Sequence, residues 1–227
     1  MASSLKSLTE KLKTVELVIF DKDGLIIDSE REVYESWKTV LSENNLNFSD
    51  EWFSTIVGIR IEDRTKILFR QFGKLGLEMQ KATLNLIHQN RYDTIIPLKK
   101  GLKELLETLS YLNIKKVVAT SSTLLDTKRT LGVHNILEEF DLIVTGELVE
   151  FGKPAPDIFL KCSELMNVSP SKCLVLEDSD AGINAAKSAG MIAILVPDLA
   201  KNSAEVVNMS DAVLDNLLEV VNLFTAK

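Results

Sequence analysis

Cysteine and histidine are scarce, with two of each among 227 residues. Cys162 and Cys173 lie eleven residues apart, outside any zinc or redox spacing, which argues against a disulfide framework or a thiolate metal site. They are read as small thiols in a reducing compartment. Positive charge is the minority sign: Lys+Arg total 26 against 33 Asp+Glu, a net charge of −7. Nucleic acid is therefore not an expected partner, because phosphate backbones are bound chiefly by clustered lysine and arginine. Long apolar runs are missing as well. No stretch approaches the about 20 residues that span a bilayer, so no membrane partner is expected. The opening MASSLKSLTEKLKTV carries lysines and no apolar run, unlike a secretory signal. A cytoplasmic protein, monomeric or weakly dimeric, is expected. What the chain does have is 45% hydrophobic and 26% charged residues, enough for a real core in one large domain or a core with a smaller companion.

Several short apolar runs end in polar residues. Val15–Phe20 (VELVIF) leads into Asp21, and Lys116–Ala119 (KVVA) into Thr120, Ser121 and Ser122. Leu142–Val144 leads into Thr145, Cys173–Leu176 (CLVL) into Glu177 and Asp178, and Ile192–Val196 into Pro197. They are rich in Val, Ile and Leu and barely alternate, the pattern of strands covered on both faces. Helical patterns lie between them. Leu102, Leu105, Leu106 and Leu109 follow Gly101, Ile158–Met166 follows Pro154 and Pro156, and Ala181–Ala189 precedes Gly190. This alternation predicts an α/β fold, a doubly wound parallel Rossmann-like sheet. One interval breaks it. From Ser29 to Asp93 only helices are predicted, over Glu30–Asn44, Asp50–Val57, Glu62–Phe72 and Leu77–Arg91. So long an insertion must pack as a domain of its own. The expected division is a core of residues 1–28 and 94–227 with a helical domain of residues 29–93, hinged at Asp28–Ser29 and Thr94–Pro97.

In an open α/β sheet, ligands bind beyond the carboxyl ends of the strands, where this sequence gathers its acids and hydroxyls. Asp21 and Asp23 point the same way if the backbone is still extended, and two such carboxylates need a cation or a shared proton. Gly24 permits a sharp departure from the strand. A solvated acidic turn is the plain alternative. A calcium loop starting at Asp21 wants glycine at its sixth position, where Ile26 stands, and wants a helix rather than a strand before it. Lys153 precedes Pro154 and Pro156. By itself it reads as a solvated charge, but beside carboxylates it would neutralise both a phosphate and its attacking group. Glu177 and Asp178 stand between a strand and a helix start, where capping is the ordinary role. Two adjacent acids with few neutral donors also suit magnesium. Thr120 and Ser121 would either cap a helix or cradle an anion.

Together these residues resemble the haloacid dehalogenase superfamily, in its phosphatase and β-phosphoglucomutase-like branch with a helical cap after the first motif. The resemblance rests on FDKDGLIIDSE (Phe20–Glu30), VVATSS (Val117–Ser122), GKPAPDIF (Gly152–Phe159) and LVLEDSDAGINAAKSAGM (Leu174–Met191). It implies Asp21 as nucleophile, Asp23 as general acid/base, Thr120 and Ser121 as phosphate ligands, and Lys153 as the neutralising cation. It also implies a magnesium ion on Asp21, the Asp23 carbonyl and Asp178, with Glu177, and a cap that closes over the site. Neither His88 nor His134 is required.

The activity implied is hydrolysis of a small phosphate ester, a sugar phosphate or nucleoside monophosphate, through an aspartyl-phosphate. Mutase relatives carry a histidine a few residues into the first cap helix. Ser29–Trp37 (SEREVYESW) has none, with Val33 near its place. A phosphosugar mutase is the alternative within enzymes, and a non-catalytic binding protein on the same fold the alternative of another class. Gly58–Asp63 resembles the cap's substrate-specificity loop, in which Arg60 would meet a substrate's distal group or stand as a surface charge.

Overall fold

A computed structural model describes residues 8–57, 61–93 and 95–225, without the side chains of residues 62, 88 and 90–93. Arg60 and the side chain of His88, both singled out in the sequence, lie outside the described residues. Helix α1 (residues 8–12) leads into β1 (Leu17–Phe20), the middle of a six-stranded sheet. The other strands are β2 (Lys115–Thr120), β3 (Leu142–Thr145), β4 (Cys173–Glu177), β5 (Ile192–Leu195) and β6 (Ala212–Val213). Their order is β3-β2-β1-β4-β5-β6, and every pair is parallel. The parallel α/β sheet expected from the sequence is present. No strand was predicted after Val196, because β6 is too short to show a period.

The chain divides into two compact units. The first contains residues 1–27, 98–198 and 202–227 and holds the sheet. Leu17, Ile19, Val117, Ala119, Val175 and Ala193 project from one face onto α8 (Asp157–Met166) and α9 (Asp180–Ser188), through Ile158, Phe159, Ile183 and Ala186. On the alternate positions of β1, Phe20 meets Phe140 edge-on at 5.6 Å. Helix α6 (Leu102–Tyr111) buries all four of its predicted leucines and packs on β2 and on α11 (Leu217–Thr225). Helices α7 (Leu124–Val133) and α10 (Ala204–Met209) complete this unit.

The second unit contains residues 28–97 and 199–201. Its helices are α2 (Ser29–Glu43), α3 (Asp50–Ser54), α4 (Ile61–Phe72) and α5 (Lys74–Asp93). Trp37, Leu41, Phe53, Ile56, Leu68 and Met79 form its core, with Trp52 edge-on to Trp37 at 5.5 Å. Helix α5 starts before the predicted Leu77, because left-handed Gly73 (φ +60°) turns the chain directly from α4 into it. Helix α3 stops short of the predicted Val57 and ends in a turn. The Glu30 carboxylate ties residues 199–201 to this unit, accepting the N–H groups of Leu199 (2.8 Å) and Ala200 (3.0 Å). No helix among the described residues is long and apolar enough to cross a membrane.

Candidate active site

The strand order puts the site at β1 and β4. The chain runs outward from β1 through β2 to β3, then returns to the other side of β1 as β4, and that reversal opens a crevice at the carboxyl ends of these two strands. Phe20 lies in register with Leu176, and the Asp21 N–H donates to the Leu176 carbonyl at 3.1 Å. The acid after β1 therefore stands beside the acids after β4. Asp21, Glu177 and Asp178 are all buried, with carboxylate oxygens within 4.8 Å of one another.

Each acid is held in place. The Lys153 ammonium donates to Asp21 Oδ1, to Glu177 Oε1 at 2.5 Å and to the Ala119 carbonyl at 3.3 Å, and rests on the Phe159 ring. Glu177 Oε2 accepts the N–H groups of Asp178 and Ser179, each at 3.0 Å, and the Ser179 hydroxyl at 2.9 Å. Ser179 is also the N-cap of α9, accepting the Gly182 N–H at 3.1 Å. Capping thus falls to Ser179, which leaves both acids of the motif to the site. Asp178 is fixed through its backbone carbonyl, which accepts from Asn202 at 2.9 Å. Gly24 has φ +85°, and a β-carbon there would run into the Asp178 carboxylate, so glycine is needed for both turn and space.

Asp23 sits at the rim, about one-third exposed. Its Oδ2 accepts the Ser122 hydroxyl at 2.8 Å and lies 3.3 Å from the fully buried Lys22 ammonium. Lys22 is anchored in turn by Asp126 of α7 at 2.5 Å. Buried Thr120 accepts the Ser122 N–H at 3.0 Å, which bends the chain after β2, and Ser121 is exposed at that bend. The sequence singled out neither Lys22 nor Asp126. Lys22 was legible only as the residue between two motif acids, and the ordinary expectation for a lysine is a surface position. His134 is the C-cap residue of α7.

Charge at the centre is unbalanced. Burial pushes the Asp21 carboxyl up to about 7, against the pull of Lys153, and Glu177 and Asp23 add to the rise. Burial also works against the Lys153 charge, but Asp21 and Glu177 outweigh it and hold the ammonium above the ordinary lysine range. One ammonium is thus shared by the Asp21 and Glu177 carboxylates, and a divalent cation beside them would offset negative charge further. An all-oxygen donor set suits a hard divalent ion such as magnesium.

The family model for haloacid dehalogenase-like hydrolases matches residues 18–196. A phosphorylated carbohydrates phosphatase of Thermotoga maritima is 32% identical over 178 residues, 78% of this chain and 82% of the relative. A β-phosphoglucomutase of Bacillus subtilis is 31% identical over 185 residues, 78% of this chain and 81% of the relative. Among solved structures, a putative β-phosphoglucomutase from Thermotoga maritima superimposes with a TM-score of 0.75 at 27% identity, over 92% of this chain and 98% of that one.

Proposed function

The chain belongs to the haloacid dehalogenase-like hydrolase family and is a phosphoric monoester hydrolase; from that premise we propose that it hydrolyses small phosphorylated metabolites, sugar phosphates foremost, by nucleophilic attack of Asp21. The observation that carries the reading is the buried triangle of Asp21, Glu177 and Asp178 with Lys153 bridging the first two. A carboxylate and a phosphate dianion repel, so attack needs positive charge at the site, and Lys153 supplies it beside the Asp21 oxygen. Asp21 attacks phosphorus, and the bond to the ester oxygen breaks as Asp23 protonates the departing alkoxide. Water then attacks the aspartyl-phosphate. Asp23 takes its proton, and the P–O bond to Asp21 breaks to release phosphate and restore the carboxylate. Thr120 and Ser121, at the carboxyl end of β2 beside β1, are assigned to the phosphoryl oxygens on the strength of the resemblance.

Asp21, the Asp23 carbonyl, Asp178 and Glu177 would hold magnesium. When bound, it supplies charge neutralisation at the phosphoryl oxygens. Water is favoured over a sugar hydroxyl as acceptor because Ser29–Trp37 lacks the histidine that the resemblance associates with mutases. Names borne by relatives include both activities: the fructose-1-phosphate phosphatase of Escherichia coli, 29% identical over 78% of this chain and 94% of its own length, supports hydrolysis, beside the β-phosphoglucomutase of Bacillus subtilis. The test is phosphate release from a panel of sugar phosphates with magnesium. Asp21→Asn is expected to abolish release while keeping the fold, and β-glucose 1-phosphate to yield glucose and phosphate. Unchanged turnover in Asp21→Asn would overturn the mechanism, and glucose 6-phosphate as main product would make the protein a mutase.

A further inference from the structure

One buried charge has no part in the chemistry proposed above. The Lys22 side chain is completely buried, and a charge in that setting is costly unless it is paired and hydrogen-bonded. Its ammonium donates to Asp126 Oδ2 at 2.5 Å and lies 3.3 Å from Asp23 Oδ2. A buried ion pair of this kind adds little or no net stability over an apolar side chain of similar volume. What the arrangement does secure is geometry. The Lys22 carbonyl accepts the N–H groups of Ile26 (2.9 Å) and Ile27 (3.1 Å), so the backbone between Asp21 and Asp23 is already pinned. The orientation left to settle is that of the Asp23 side chain, which stands about one-third exposed at the rim.

Both donors that meet Asp23 Oδ2 are governed by the segment that joins β2 to α7. The Ser122 hydroxyl donates to it at 2.8 Å, and the Ser122 N–H donates in turn to Thr120 Oγ1 at 3.0 Å. Asp126, in the first turn of α7, holds Lys22. The Asp126 N–H donates to the N-cap hydroxyl of Thr123 at 3.3 Å. The Thr127 hydroxyl donates to the Thr123 carbonyl at 2.9 Å, which tightens the same turn. A carboxylate in the first turn of a helix is also favoured by the helix dipole. Asp126 is therefore a fixed point, and Lys22 carries its position to Asp23.

We infer that Asp126 is a positioning residue: acting through Lys22, and with the Ser122 hydroxyl as the second tether, it holds the Asp23 carboxylate in the orientation that serves both proton transfers. The inference rests on the roles given above to Asp21 and Asp23. A displacement of about 1 Å in a reacting group is enough to cost about 100-fold in rate. Acting at one remove, Asp126 should affect kcat and spare KM.

The probes are phenyl phosphate and 4-nitrophenyl phosphate, hydrolysed by the full chain with magnesium. They differ in the leaving group: phenolate departs with the help of a proton, and the less basic 4-nitrophenolate departs without it. Asp126→Asn is expected to lower kcat for phenyl phosphate at least about fivefold, with KM within about twofold of wild type. With 4-nitrophenyl phosphate it should give a burst of one nitrophenolate per chain and then a depressed steady rate, because hydrolysis of the aspartyl-phosphate still needs Asp23 as base. Asp126→Glu is expected to recover most of the turnover. In a Lys22→Met background, Asp126→Asn should bring no further loss, since residues that act through one another are not additive. Thr123→Ala weakens the start of α7 but keeps the carboxylate, and it is expected to turn over like wild type. Melting curves confirm that each variant is folded. Wild-type kcat in Asp126→Asn, an equal loss in Thr123→Ala, or independent losses in the double variant overturns the inference. Asp21→Asn separates it from the mechanism. Turnover surviving in that variant defeats both, whereas its inactivity together with wild-type kinetics in Asp126→Asn defeats the inference alone.

Discussion

Gly182, in the first turn of α9, lies against the Glu177 carboxylate so closely that a β-carbon at residue 182 would overlap it. Two effects of Gly182→Ala therefore oppose each other. Alanine favours a helix by about 1 kcal/mol, but it would push Glu177 off the Ser179 N–H and the Lys153 ammonium. The fold is expected to survive and the site to suffer. A melting temperature within a few degrees of wild type should accompany an at least tenfold higher magnesium requirement for phosphate release. Normal activation by magnesium would show that Glu177 is not needed where it stands.

Lys22 offers a test of how the acid/base is positioned. Its ammonium is fully buried and joins Asp23 to Asp126. Lys22→Met keeps the volume and leaves Asp23 to Ser122. Both acids retain contact with water, at 34% and 29% exposure, so the stability cost should fall below the roughly 3–5 kcal/mol of a broken, fully buried pair. Turnover is expected to fall by about tenfold or more with KM little changed. A change confined to KM would point instead to a role in substrate binding.

The contrast between Lys22 and Asp21 shows what a sequence can carry. Strand runs ending in acids are local patterns, and the rule for open α/β sheets turns them into a crevice from sequence alone. The burial of Lys22, its partner 104 residues away and the collision awaiting a side chain at Gly24 depend on tertiary packing. Strand β6 was missed because two residues carry no periodicity. For the helical unit, the sequence singles out Arg60, in a motif-like stretch outside the described residues. Arg64 reads in the sequence as an ordinary helix-surface arginine, and its partial burial depends on tertiary packing.

The thiols are expected to be inert. Burial pushes Cys162 up to about 12, despite the nearby Lys153 ammonium, and Cys173 up to about 11. The thiolate is the reactive form, and it is scarce at pH 8 for both groups. Neither residue has an accessible surface. Native protein should therefore show no fast reaction with a disulfide reagent, and two equivalents should react after unfolding in denaturant. Rapid labelling of either thiol in the native protein would mean that α8 or the start of β4 opens readily.

Acid stability should depend on Asp211, which joins three elements. It accepts from Lys187 of α9 at 2.6 Å, from Lys11 of α1 at 3.0 Å and from the Ala193 N–H of β5 at 3.0 Å. Burial pushes its carboxyl up, but Lys187, the Ala193 N–H and Lys11 outweigh burial and hold the group below its ordinary value. The folded state then binds this proton less readily than the unfolded chain. The stabilisation is complete above the unfolded carboxyl value near 4 and fades as pH falls through the lower folded value. Both lysines are partly exposed, which limits the effect to about 1 kcal/mol. Asp211→Asn should melt a few degrees below wild type at pH 7, and the gap should close as the pH is lowered below 4. A gap that is constant with pH would trace the loss to shape rather than charge.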